Sequence, residues 1–156
     1  SVKLSPLEIV CAKGHVETLE LLLKDPRIDI NTLSAHGISC LHFAVLTNRD
    51  AVIRRLIKIP GIDYSVSFFG FTPLQFACFV KHFESFFTLL VEGDADPTEL
   101  NDYNENALHV ACQNLNYYAV KLLLQDGRCD INAASNNGVP LKIACASKSP
   151  DAIEIV

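Results

Sequence analysis

The chain has 156 residues, 49% of them apolar and 20% charged, with 13 basic against 18 acidic side chains for a formal charge of −5. That length suits one domain, and that balance suits a folded globule rather than a disordered chain. No run of Lys or Arg offers a phosphate-binding surface, and no apolar stretch approaches the roughly 20 residues of a membrane span, so nucleic-acid binding and membrane insertion are not expected.

The N-terminal stretch has no secretory-leader pattern. Methionine is absent altogether, which gives the expectation that the chain is a piece of a longer protein. From Ser5 onward the sequence repeats itself. "SPLEIVCAKGHVETLELLL" begins at Ser5, "SCLHFAVLTNRDAVIRRLI" at Ser39 and "TPLQFACFVKHFESFFTLL" at Thr72. "NALHVACQNLNYYAVKLLL" follows at Asn106 and "VPLKIACASKSPDAIEIV" at Val139. Leu7, Leu41, Leu74, Leu108 and Leu141 are spaced 34, 33, 34 and 33 apart.

Each unit holds two short apolar-periodic segments with a polar break between them, such as Lys13-Gly14-His15 or Thr47-Asn48-Arg49. This predicts two helices of about two turns each. Ser5-Pro6 and Thr72-Pro73 read as a helix N-cap followed by proline at the first helical position, where the missing N–H is harmless. Gly14 suits the left-handed end of a first helix, and Gly37 and Gly70 suit tight turns ahead of the next unit. So short a helix pair cannot bury its apolar face alone, so the units are expected to stack into one continuous core.

These features resemble the ankyrin repeat, whose Thr-Pro-Leu-His-x-Ala-Ala motif recurs about every 33 residues. Thr72-Pro73-Leu74 matches it directly, and Leu41-His42 and Leu108-His109 match its Leu-His pair. Gly14-His15 matches the turn between helices. Asp29-Ile30-Asn31 and Asp130-Ile131-Asn132 match the family's Asp-Val-Asn loop. Glu8, Gln75 and Lys142 replace the motif histidine. The resemblance covers essentially the whole chain. It implies an all-α ankyrin-repeat solenoid of helix-turn-helix units joined by hairpin-like loops. One domain over 1–156 is expected, with repeats near 5–37, 38–70, 71–104, 105–138 and an incomplete 139–156.

Cys11, Val45, Cys78, Cys112 and Cys145 occupy one column of the aligned repeats. The small residues Val10, Ala44, Ala77, Ala111 and Ala144 precede them. Packed helices lie about 8–10 Å apart, whereas a disulfide needs Cα atoms within about 7 Å. Neighbours in the column therefore read as buried free thiols rather than bridges. Cys40 takes the proline position and Cys129 a loop. Free thiols point to a reducing, intracellular setting, cytoplasm or nucleus.

Cys78 with His82 and Cys40 with His42 have the proximity of a thiol–imidazole pair. His82 fills the family's turn-histidine position, however, and a structural role explains it. No further ligands are spaced for zinc. Neither a Gly-rich phosphate loop nor a nucleophile elbow is present. The expectation is a non-catalytic chain without cofactor or metal. Asn31 and Asn132 resemble the sites that asparaginyl hydroxylases use on ankyrin repeats, and turn stabilisation is the alternative reading for both.

Eight of nine phenylalanines fall between Phe68 and Phe87. Phe43, Phe76, Phe83 and Phe86 are expected in the core by pattern, and Phe87 on the outer face. The resemblance puts Phe68, Phe69, Phe71, Phe79 and Val80 at variable positions that line the concave groove and contact partners. The second repeat adds Ala35, His36, Ile38, Leu46 and Thr47, and the fourth adds Asp102, Tyr103, Glu105, Gln113 and Asn114. An apolar centre with a polar rim is the usual anatomy of an interface. The expected partner is a protein or peptide with apolar or aromatic character, whose Lys or Arg could meet Asp102 and Glu105, bound by a monomeric chain. The alternatives are that some rings pack within the molecule, or that the patch docks on another domain of a larger enzyme, channel or ligase.

Overall fold

A computed structural model describes residues 4–146. Among the described residues, nine α-helices run as antiparallel pairs followed by a single last helix. The pairs are α1 (Pro6–Lys13) with α2 (Val16–Leu22), and α3 (Cys40–Leu46) with α4 (Asp50–Leu56). They continue with α5 (Pro73–Phe79) and α6 (Phe83–Phe87), then α7 (Ala107–Gln113) and α8 (Tyr117–Asp126), and α9 (Pro140–Ala146) closes the order. First helices stack on first helices, α1 on α3 on α5 on α7 on α9, and second helices stack in their own layer. Leu7, Leu41, Leu74 and Leu108 are buried at the same point of successive first helices.

The starts of the first helices follow from side-chain chemistry. Ser5 and Thr72 close reciprocal capping boxes with Glu8 and Gln75, each followed by proline. Ser39 and Asn106 cap α3 and α7. These bonds satisfy amide groups that a helix start leaves without internal partners. The first helices stop where one residue enters the left-handed region: Gly14, Asn48, Lys81 and Leu115, with φ of 84°, 53°, 58° and 52°. Only glycine adopts that conformation freely.

Side chains of this turn reach back to the preceding repeat. Arg49 Nε donates to the carbonyl of Ala12 (3.3 Å), His82 Nδ1 to that of Val45 (2.8 Å), and Asn116 Nδ2 to that of Cys78 (3.1 Å). Three different residue types thus fill one role at one register. In the third repeat the second helix widens into a π-helical turn over Thr88–Glu92, closed by Gly93 N–H donating to Thr88 O at 2.9 Å. Thr88 Oγ1 donates to Asp50 Oδ1 (2.7 Å), while Arg54 bridges Asp50 and Glu92.

Phe43, Phe76 and Phe86 lie in the core. Phe83 does not: it is 42% exposed. It is the first residue of α6, and the first residues of the other second helices, Val16, Asp50 and Tyr117, are likewise not buried. Its ring meets Tyr118 edge-on at 5.5 Å and Phe87 at 6.2 Å. Helical periodicity alone assigned it inward.

Cys11, Cys40, Cys78, Cys112 and Cys129 are buried free thiols, and Cys145 is exposed. A hydrogen bond with Cys40, and then burial, push the Cys11 thiol far above its ordinary range. Burial likewise raises Cys78, and it pushes Cys112 and Cys129 up to about 11. Since the thiolate is the reactive form, a disulfide-exchange reagent at neutral pH should modify one sulfur quickly in the folded protein. All six present in the chain should react in denaturant. Rapid reaction of several thiols without denaturant would contradict this packing.

His42 is fully buried, and desolvation lowers its pKa from 6.5 to about 4, against the raising effect of its bond to the Phe71 carbonyl. Between those values the unfolded chain binds a proton that the folded chain refuses, so stability is retained above the window and lost as pH falls through it. The loss between pH 7 and 5 should be about 2 kcal/mol. Urea midpoints at the two pH values should converge in His42→Gln relative to the unsubstituted chain. Gln75 shows that glutamine suits this register.

Candidate interaction site

The hairpin that leads into the third repeat places the phenylalanines. Phe68 and Phe71 exchange backbone hydrogen bonds of 2.9 and 3.1 Å. Between them Phe69 and Gly70 both have positive φ, 51° and 80°, which is the turn with the twist of a tight hairpin. From the preceding repeat, His42 Nε2 donates to the Phe71 carbonyl at 3.0 Å, and Ser39 Oγ lies 2.8 Å from His42 Nδ1. The carbonyl fixes the proton on Nε2, so Nδ1 accepts from the serine hydroxyl.

The five apolar residues expected in the groove separate into two groups. Phe68 turns inward, edge-on to His42 (5.6 Å) and Phe76 (5.8 Å), and Val80 is also partly buried against the core. Phe71 is half-buried and stacks on Phe79, with centroids 5.2 Å apart and planes 21° apart. Phe69 and Phe79 remain 80% and 46% exposed. Intramolecular packing therefore accounts for Phe68 and Val80, while Phe69 and Phe79 present their rings outward.

The rim residues are less uniform than their sequence positions suggest. His36, Leu46, Asp102, Tyr103 and Gln113 are exposed, and Ile38 and Asn114 are half-buried. A Cβ at Gly70 would come within 3.1 Å of Asp102 Oδ2, so that carboxylate lies against the hairpin tip. Glu105 departs from expectation: it is 1% exposed. Its Oε1 accepts from Asn137 Nδ2 (2.7 Å) and its Oε2 from Asn101 Nδ2 (3.0 Å), which draws the carboxylate into the fold instead of the open rim.

Phe71 and Phe79 form one wall of a cleft of about 370 Å³, with Tyr103, Gln113 and Asn114 around it and Glu105 and Asn137 closing it. Asn137 was not among the sequence candidates. Its signal was the register itself, since it stands 33 residues after Asn104 in the next hairpin. A second exposed aromatic group, Phe83, Tyr117 and Tyr118, lies at the outer ends of α6 and α8 and was likewise not anticipated.

The polar residues with catalytic spacing serve the fold. His82 is bonded to Val45, as described, and Cys78 is buried. Among the described residues no group of three or more His, Cys, Asp and Glu could hold a metal ion. Asn31 uses both ends of its amide: Nδ2 donates to Gly61 O (2.7 Å) and Oδ1 accepts from Asp63 N–H (2.9 Å). Asn132 is exposed, with its backbone N–H bonded to Asp130.

The family profile described as "Ankyrin repeats (3 copies)" matches residues 7–101 and again 74–156. The chain belongs to the ankyrin-repeat family. Ankyrin repeats are protein–protein interaction modules and are not themselves catalytic. The chain is 28% identical to Rabankyrin-5 of Mus musculus over 121 residues, 77% of this chain and 10% of that protein. It is 29% identical over 120 residues to Transient receptor potential cation channel subfamily A member 1 of Homo sapiens, 74% of this chain and 10% of the channel. Palmitoyltransferase AKR1 of Debaryomyces hansenii is 28% identical over 118 residues, 73% of this chain and 14% of that protein. The matched region is thus a small part of each relative. No helix among the described residues is long and apolar enough to cross a membrane.

Phe69 combines a left-handed backbone, which costs a bulky residue about 1–2 kcal/mol, with an exposed ring. Asparagine visits that conformation readily. Phe69→Asn should therefore leave the melting temperature unchanged or raise it. A fall of several degrees would mean that the ring is part of the packing.

Proposed function

We propose that this ankyrin array is a non-catalytic recognition module whose partner binds across the hairpin tips and first-helix ends, centred on the third repeat. The observation that supports this most is the Phe69 ring, 80% exposed at a strained hairpin tip, in the same repeat as the exposed Phe79. The Phe69 ring meets Phe68 at 4.5 Å and the Phe79 ring stacks on Phe71, yet both keep much of their surface open to a partner. The contact set is Phe69, Phe71 and Phe79, flanked by Ile38, Leu46 and His36 on one side and by Asp102, Tyr103 and Gln113 on the other. Phe68 and Val80 support it from beneath. Covering one such ring is worth roughly 1.5–3 kcal/mol, so two or three suffice for a modest complex after the losses of association.

The proposed partner is a protein segment of apolar or aromatic character. The chain acts as a monomeric single domain over 1–156, inside the cell, without catalytic activity of its own. The small fraction of each relative that the chain matches supports a second reading. In that reading the same face docks on another part of a longer protein, as an internal interface. Modification of Asn31 and Asn132 by a hydroxylase remains a separate proposal. A mass gain of 16 Da at either residue in protein from its native source would support it, and its absence would oppose it.

The deciding experiment is a paired affinity capture from lysate, with the chain and its Phe69→Ser/Phe79→Ser variant as baits. Both should show the same helical circular dichroism. Prey lost with the variant would support the groove. Prey retained by the variant would place the binding face elsewhere, and unfolding of the variant would assign the rings to the core.

A further inference from the structure

The cleft between Phe79 and Tyr103 holds a chemical imbalance. Glu105, almost wholly buried, has two neutral amide donors and no ion pair among the described residues. An ionised carboxylate offers about four acceptor positions, so two remain unused. A buried charge held by neutral groups alone is unfavourable compared with one that meets a cation. None of the residues lining the cleft is basic.

The other walls suit one kind of cation. Phe71 and Phe79 stack nearly parallel on each other and both line the cleft, so the pair offers it aromatic surface. Tyr103, 54% exposed, stands on the rim. Asn114 gives its Nδ2 to the Val110 carbonyl at 2.8 Å, which leaves its amide oxygen as an acceptor. An aromatic plane, a carboxylate and a carboxamide oxygen together complement a planar group with several in-plane N–H donors. Guanidinium stacks on aromatic faces and donates in a fork, whereas ammonium is a compact, strongly hydrated point charge.

We propose that this cleft takes an arginine side chain of the partner, its guanidinium lying against the Phe71–Phe79 ring pair and donating to Glu105 and Asn114. Asp102, at the neighbouring hairpin tip, adds negative potential at the entrance. The inference rests on the groove reading above and names the residue that the groove selects. Phe69 supplies apolar contact nearby, and the arginine sets the register of the bound segment.

The test uses small probes, so that it does not depend on capturing a partner. Nα-acetyl-arginine amide is titrated into the chain while the side-chain amide signals of Asn114 and Asn137 and the Tyr103 ring are followed by NMR. Saturable shifts at these groups are expected. The neutral isostere Nα-acetyl-citrulline amide should bind at least about tenfold more weakly, the difference made by a charge-assisted hydrogen bond. Nα-acetyl-lysine amide should also be weaker. Glu105→Gln should abolish the preference for arginine over citrulline. Phe79→Leu, which keeps apolar volume but removes one of the two stacked rings, should weaken arginine severalfold. It decides the matter should Glu105→Gln fail to fold. Equal shifts with arginine and citrulline, or shifts unaffected by Phe79→Leu, would overturn the proposal, and equal binding of lysine would overturn the choice of guanidinium. A lysate partner lost with Phe69→Ser/Phe79→Ser but retained by Glu105→Gln would leave the groove reading standing and refute the arginine.

Discussion

A side-chain-to-backbone hydrogen bond, made in the second, third and fourth repeats, holds the exposed face in place. In these repeats the third residue of the first helix bonds to the capping residue at its own helix start and also reaches into the following hairpin. His42 donates to the Phe71 carbonyl at 3.0 Å, Gln75 to the Glu99 and Glu105 carbonyls at 2.7 and 3.1 Å, and His109 Nε2 meets the Ala133 carbonyl at 2.9 Å. All three side chains are buried. A carbonyl hidden at that depth without a donor would cost about 1–3 kcal/mol. Hairpin position is thereby tied to helix position, and the hairpin tips inherit the regular spacing of the core.

That spacing is what builds the candidate site. Phe71 belongs to one hairpin, Phe79 to the end of a first helix, Tyr103 to the next hairpin and Asn137 to the one after it. They line one cleft because three successive hairpins are stacked in register. No repeat alone contains the site. Its chemistry changes along the array, from the aliphatic Ile38 and Leu46 to the aromatic centre and then to carboxylate and carboxamide groups, because packing constrains the core columns and leaves the tips free to vary.

Much of this was legible in the sequence. The 33- and 34-residue spacing gave the helix pairs, and Ser5, Thr72 and Gly14 gave helix starts and a stop through local chemistry that depends on neighbours only a few positions away. What the sequence concealed lies at longer range. The inward turn of Phe68 depends on His42 and Phe76, and the burial of Glu105 depends on Asn137, 32 residues later. Phe83 followed an apolar period yet faces outward, as the first residues of the other second helices, Val16, Asp50 and Tyr117, also escape full burial. Gln75 stood out as a departure from the motif, although its amide supplies the same N–H donor as the histidine it replaces.

The inter-repeat hydrogen bonds also have a direction. First-helix side chains donate forward to hairpins not yet reached in the sequence. The turn side chains Arg49, His82 and Asn116 donate backward, to helix ends already passed. A chain that leaves the ribosome N-terminus first therefore offers the third and fourth repeats a ready template: a waiting donor for the hairpin and a waiting carbonyl for the turn. Assembly of a stacked array can then advance one repeat at a time in the order of synthesis. Each newly added repeat covers the apolar face left by the one before, which shortens the time that surface is open to aggregation.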